Sequence, residues 1–178
     1  MGDKRYGKYS NMILAVDVDY REGKAVVAGI AFNDWEDHVP ANTFIAQTNQ
    51  VEEYQAGEFY KRELPIILLL LEQLPQLPEI IIIDGYVYLD HHQKAGLGLH
   101  LYNALDAKVA IIGVAKSRFQ DIPSESEVFR SDSNRPLFVT AIGIDESEAR
   151  DFIKKMHGNH RLPTILKAVD RLCRDSYL

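Results

Sequence analysis

The sequence has a single cysteine, Cys173, among 178 residues. One cysteine excludes an internal disulfide and any cysteine-based zinc site, and it fits a reducing, cytoplasmic setting. No secretory signal is visible. Met1 to Asn11 is polar, has no apolar central stretch, and reads as a tag-derived or disordered segment ahead of the fold. The longest apolar run, Pro65 to Leu71, is far too short to span a bilayer. Positive charge is not in excess either, the formal net charge being -6. Tight, indiscriminate nucleic-acid binding needs many phosphate-neutralising Lys and Arg, so the charge argues against that class. It does not argue against a nuclease, because a cluster of metal-binding carboxylates makes a chain acidic even when its rim is basic. A P-loop, a dinucleotide fingerprint and a serine-nucleophile motif are all missing, which leaves nucleotide hydrolysis and acyl transfer without support. There is no repeat, low-complexity stretch or linker, so residues 12–178 read as one domain.

What is present is a balance of 46% hydrophobic and 26% charged residues, enough to bury a core. Met12 to Val18 has the apolar pattern of a buried strand, Ala25 to Phe32 of a second after a Gly23 turn, and His38 to Ala46 of a third, where Pro40 indicates an edge. Val51 to Gln73 reads as a long helix with Tyr60, Leu64, Ile67, Leu68 and Leu71 at helical spacing and a kink at Pro65. Ile80 to Ile83, between prolines and Gly85, reads as a fully buried parallel strand. Gly96 to Leu105 reads as a helix, Lys108 to Ala115 and Leu137 to Ile142 as strands, Glu146 to Met156 as a helix capped by Asp145, and Pro163 to Cys173 as the last helix. An antiparallel meander followed by alternating helix and strand predicts an α/β fold, a mixed sheet flanked by helices. Ligands in such sheets gather at the carboxyl ends of the central parallel strands.

Two acids occupy costly positions. Asp17 interrupts an apolar strand, and Asp84 ends the isoleucine run. A buried carboxylate needs a compensating partner, often a metal, and two at neighbouring strand ends repel each other without a cation. Mg²⁺ suits such a pair, because it takes carboxylate oxygens and keeps waters. Alone, Asp84 is equally an Asp-Gly turn, and Asp19 shares a face with Asp17. Glu63 is a third candidate, although its spacing also fits a solvated charge cluster. Lys116, at the end of the Lys108 to Ala115 strand, could hold a phosphate or simply open a surface loop.

Beyond these positions the chain resembles the endonuclease V family, of ribonuclease H-like fold. The likeness is carried by Ala15-Val16-Asp17-Val18-Asp19-Tyr20, Tyr60-Lys61-Arg62-Glu63-Leu64-Pro65, Ile81-Ile82-Ile83-Asp84-Gly85, Gly96-Leu97-Gly98-Leu99-His100-Leu101 and Ile112-Gly113-Val114-Ala115-Lys116-Ser117-Arg118. Pro136-Leu137-Phe138-Val139-Thr140, Arg161-Leu162-Pro163 and Asp170-Arg171-Leu172 continue it in order, so it spans Met12 to Leu172. The resemblance implies an endonuclease that uses Mg²⁺, with Mn²⁺ as substitute, and cuts DNA or RNA 3′ to inosine in deaminated-base repair or processing. It implies metal ligation by Asp17, Glu63 and Asp84, a phosphate-side role for Lys116, and nucleic-acid contacts from Tyr54, Gly57, Arg62, Gly85, Ser117 and Arg118.

The sequence also departs from the family. The strand-separating wedge reads Tyr54-Gln55-Ala56-Gly57 and lacks its proline. Val87 stands where the family has a glycine in the base pocket, and His91, His92 and Gln93 replace basic residues. The family's late histidine, placed in the turn after the Leu137 to Ile142 strand, is missing, and Asp145 is the nearest acid that could take its place. The helix ahead of the first strand is absent. These departures predict relaxed base specificity, a preference for single strands, and reduced activity. Asp90, His91 and His92 resemble a metal cluster, but adjacent side chains rarely converge, so a loop at the site mouth is the simpler expectation. Trp35 reads as a hairpin-tip residue. The competing readings are a binding or structural module on the same scaffold, and a ribonuclease H-like nuclease acting on unmodified strands.

Overall fold

The computed structural model describes residues 11–51, 53, 56, 58 and 60–177. Seven strands form one mixed sheet: β1 (Ile13–Arg21), β2 (Lys24–Phe32), β3 (Asn42–Thr48), β4 (Ile80–Asp84), β5 (Ala110–Ala115), β6 (Glu127–Val128) and β7 (Leu137–Ile142). Their order is β3-β2-β1-β4-β5-β7-β6. The meander β1-β2-β3 is antiparallel, β1, β4 and β5 run parallel, and β7 runs back against β5. Four helices cover the sheet: α1 (Tyr60–Leu71), α2 (Leu97–Ala104), α3 (Glu146–Lys155) and α4 (Thr164–Asp175). This is the mixed sheet flanked by helices that the pattern of strands and helices predicts, and it agrees with the ribonuclease H-like fold that the resemblance implies.

The isoleucine run explains the layering. Side chains alternate across a strand. Ile80 and Ile82 enter one core with Ala149 and Ile153 of α3 and Ile165, Leu166 and Val169 of α4. Ile81 and Ile83 enter the other with Ile66, Ile67 and Leu70 of α1 and Leu97 and Leu101 of α2. Each buried isoleucine contributes roughly 2 kcal/mol through removal from water. Both faces of β4 are therefore apolar, and only its end is left for a charge.

Several boundaries differ from the sequence expectation. The first helix begins at Tyr60, where the apolar period begins, and not at Val51. It runs through Pro65 as a single α-helix. β3 starts at Asn42, after Pro40, with the Ala41 amide donating to the Ala31 carbonyl at 2.8 Å. The two-residue strand β6 carries no periodicity and was not expected. Trp35 is not a bare tip: its ring stacks on Phe152 at 4.5 Å and meets Phe32 edge-on. Met1 to Ser10, Tyr54 and Gly57 lie outside the described residues.

Cys173 is buried on α4, and its thiol donates to the carbonyls of Val26 at 3.1 Å and Asp17 at 3.3 Å. Burial, then the nearby Asp17 and Asp19, push its pKa up to about 12, so it remains an inert thiol that seats α4 on β1 and β2.

Candidate active site

The parallel register places the acids. Val16 pairs with Ile83, so Asp17 and Asp84 are the next two residues at the same edge. Both continue the face that α4 covers, because Ala15 and Ile82 point into that core. On β5, Val114 pairs with Asp84, and Lys116 follows two residues later on the same side, its Nζ 3.7 Å from Asp84 Oδ2. Glu63 comes from the opposite layer, from the first turn of α1. Glu63, Asp84, Gly85, Lys116, Ser117 and Arg118 line one groove of about 520 Å³.

The electrostatics of the acids show a site short of positive charge. The Asp17 carboxyl is pushed up to about 7, first by burial, then by Asp84, against one hydrogen bond from the Val18 amide at 2.9 Å. Glu63 is pushed up to about 8, first by burial, then by Asp84 and Asp17, with Arg62 opposing. Asp84 is raised by burial at the crowded sheet edge, Lys116 pulling it down and Asp170 pushing it up. The Asp84 side chain keeps 43% of its surface exposed, so solvent tempers its shift more than that of Asp17. Like charges held together and partly desolvated favour protonation, or a cation that replaces the protons.

Asp170 is the residue that sequence reasoning missed. It lies on α4, close enough to Asp17 and Asp84 to raise the pKa of both. It stands beside buried Val169, at the border of the apolar stripe Leu166, Val169 and Cys173, a position where a charge is ordinary and carries no signal in the sequence. The expectation for Asp145 is corrected by the same geometry. β7 is antiparallel to β5 and ends beside Ile111, so the β7–α3 turn lies at the far edge of the sheet. There Asp145 caps α3, accepting from the amides of Ser147 at 2.9 Å and Glu148 at 3.2 Å. From α4, Asp170 is the further acid whose charge reaches the carboxylate edge.

Val87 is also corrected. It is fully buried, not a wall of the groove. A Cβ built on Gly98 of α2 would lie 2.6 Å from Val87 Cγ2, and one on Gly113 of β5 would lie 3.0 Å from the Val87 amide and 2.5 Å from the Gly85 carbonyl. These two glycines let the segment after β4 lie flat on the sheet, where Thr140 Oγ1 accepts from the Val87 amide at 2.8 Å. The apolar wall of the groove is Tyr86, Leu89, Leu97 and Phe119. The Tyr86 hydroxyl donates to the Ser117 carbonyl at 2.6 Å and accepts from the Phe119 amide at 3.1 Å, fixing the loop that carries Ser117 and Arg118.

The remaining candidates divide by how far they are engaged. The Arg118 guanidinium pairs with Glu127 at 2.8 Å and donates to the Ile122 carbonyl, so its place on the groove is held by β6. Arg62 sits over the Tyr20 ring at 4.0 Å. Asp90 accepts from the amides of His92 and Lys94 at 2.9 and 3.0 Å, which accounts for it as a turn residue. Among the described residues, no group of three or more His, Cys, Asp or Glu is arranged to hold a metal ion as it stands. Asp17, Glu63 and Asp84 thus share one electrostatic environment without forming a closed chelate. An open set of one or two carboxylates completed by water and phosphate oxygens is what a hard cation such as Mg²⁺ takes. No helix among the described residues is long and apolar enough to cross a membrane.

Residues 2–132 match the family model of endonuclease V. The endonuclease V of Streptomyces coelicolor is 30% identical over 190 residues, covering 91% of this chain and 77% of that protein. The solved Bacillus subtilis endonuclease V superposes with a TM-score of 0.77 at 22% identity, over 93% of this chain and 80% of that one. A Ciona intestinalis endonuclease V, in complex with a 24mer DNA containing an inosine followed by a ribo-adenosine, gives a TM-score of 0.77 at 17% identity, over 93% and 85%.

Proposed function

The chain belongs to the endonuclease V family, and from that premise we propose that it is a metal-dependent endonuclease that hydrolyses a phosphodiester bond beside inosine in DNA or RNA. The observation that carries the reading is the coupling of Asp17, Glu63 and Asp84, each driven toward protonation by burial and by its neighbours, at the edge where Lys116 also stands. The donor set is all carboxylate, which fits Mg²⁺, with Mn²⁺ as substitute. Asp17 and Asp84 would hold the ion, with Glu63 from the opposite layer completing its surroundings. When bound, such an ion stabilises charge on a phosphoryl oxygen and lowers the pKa of water.

The chain's own residues have separate tasks. Lys116, held by Asp84 at the groove rim, places a positive charge against the scissile phosphate. Asp170 supports Asp17 from α4. Gly85 and Ser117 line the groove beside Lys116. Tyr86, Leu89 and Phe119 supply an apolar wall where a base can rest out of its stack. Relaxed base specificity and a preference for single strands are supported by the wedge segment, Tyr54-Gln55-Ala56-Gly57, which lacks proline. Val87 lends that reading nothing, since it is buried. The test is a cleavage screen with Mg²⁺ and Mn²⁺ on inosine-containing and plain oligonucleotides, single-stranded and duplex. Cutting of single strands that is lost in Asp84→Ala is expected. Strict, inosine-only cleavage of duplex DNA would overturn the specificity, and absence of any cutting would overturn the enzyme.

A further inference from the structure

The groove at the carboxylate edge sets Lys116 and Arg118 against Glu63 and Asp84, and a substrate strand running beyond it needs further positive charge along its path. A second groove of about 530 Å³ lies along the outer face of α4. Its polar lining is dominated by His160, Lys167, Arg171 and Arg174, with Asp175 the one acid among the lining residues. Lys167, Arg171 and Arg174 follow at intervals of four and three residues, which puts them on one face of the helix, about one turn apart. The face is basic in a chain whose formal net charge is -6. Lys167 and Arg171 are exposed, and among the described residues neither has an ion pair. Surface cations on helices commonly face carboxylates three or four residues away, as Arg174 does with Asp170 at 2.8 Å. Asp170 and Asp175 stand three and four residues after Lys167 and Arg171, yet among the described residues neither cation lies within ion-pair distance of a carboxylate.

Two features join this groove to the carboxylate edge. Leu162 lines both the α4 groove and the small void under Asp17 and Asp84. Asp170, whose charge reaches Asp17 and Asp84, lies on the same helix between Lys167 and Arg171. The mount is rigid. Arg161, just before α4, donates to the carbonyls of Lys116 and Pro136, the latter at 2.8 Å, so the start of α4 is tied to the end of β5. Arg130, buried behind it, donates to the carbonyls of Met156, Gly158, His160 and Arg161 and holds the connection from α3.

We propose that Lys167 and Arg171 on α4 form a backbone track for the substrate strand, binding phosphates that flank the scissile one, with sugar and base identity left unread. The proposal rests on the nuclease reading and adds where the strand runs. Phosphate contacts position a strand without reading its sequence, and each carries a salt dependence. Neutralising two contacts to a single strand lowers the slope of log K against log salt by about 1.4.

The test is binding of an inosine-containing single strand of about twenty nucleotides across a salt series, with Ca²⁺ in place of Mg²⁺ to suppress cutting. The wild type is compared with the double variant Lys167→Gln, Arg171→Gln and with the charge-preserving pair Lys167→Arg, Arg171→Lys, all checked for unchanged melting. The slope should fall by about 1.4 in the first variant, with roughly tenfold weaker binding near 0.1 M salt, and stay unchanged in the second. A strand of about five nucleotides, too short to leave the carboxylate groove, should bind all three alike. Equal slopes for the long strand, in a protein that still cuts, overturn the track and leave the nuclease reading standing. A wild type that binds no strand and cuts none overturns both.

Discussion

At one end of the parallel strands stand Asp17, Asp84 and Lys116; at the other, the β7–α3 turn carries Asp145. Asp17 and Asp145 are of the same residue type and have opposite environments. Asp145 receives the Ser147 hydroxyl at 2.6 Å and two backbone amides, so its pKa is held below the usual carboxylate range, first by Ser147 and then by the amides of Glu148 and Ser147. Asp17 accepts one amide, and burial together with Asp84 and Asp170 pushes it up to about 7. A capping acid is satisfied by the fold that made it. The acids at the carboxyl edge are left unsatisfied by theirs, which is the condition expected of groups that act on a ligand.

The comparison can be broken most severely at the acids of the carboxyl edge. Asp84→Ala or Asp17→Ala should cost roughly a thousandfold or more in cleavage rate, by analogy with the loss of other transition-state stabilising groups, while the melting temperature holds or rises. Cleavage at wild-type rates in either variant would detach the unsatisfied edge from chemistry. The scaffold gives the next largest effect. Arg130→Ala leaves four carbonyl partners without their donor, and should lower stability by about 3 kcal/mol, or roughly 10 °C, when followed by thermal denaturation.

Glu63 sharpens the contrast through pH. Its folded pKa, about 8, lies above its ordinary value of 4.5. A carboxyl with a raised folded pKa stabilises most at low pH, and that stability is lost as pH rises through the folded value. In metal-free protein, Glu63→Gln should therefore gain melting temperature over the wild type between about pH 5 and pH 8, by roughly 5 °C, with no difference near pH 4. A difference that shrinks as pH rises would mean that Glu63 is stabilised as the anion. The smallest effect belongs to the far edge. Asp145→Ala should lower the melting temperature by roughly 2–4 °C and leave cleavage unchanged. A large loss of cleavage would return Asp145 to the site.

Much of this was legible in the sequence for a simple reason. An acid inside Ile13 to Val18, or closing Ile80 to Ile83, violates the pattern around it, and parallel register then brings the two violations together. Asp170 violates nothing: it sits on an amphipathic helix, where a charge at the border of the apolar stripe is ordinary. Only the seating of α4 on β1 and β2 turns it toward Asp17. Val87 failed in the opposite direction. Its substitution for a glycine suggested a crowded base pocket, but the segment after Gly85, whose φ is 147°, turns Val87 into the core against Gly98. Asp145 was correctly placed as a cap from its local pattern; its distance from the site needed the antiparallel direction of β7, which the sequence does not state.

The central proposal is that the mutually repelling carboxylates at the parallel strand ends together form a site for a divalent cation. Thermal melting against Mg²⁺ concentration, in wild type and Asp84→Ala, tests it directly. Binding to the folded state adds about 2.7 kcal/mol at a hundredfold excess over Kd, so the wild-type melting temperature should climb with Mg²⁺ by roughly 5–10 °C and the variant's should stay flat. An equal climb in both proteins would place the ion elsewhere and contradict the account.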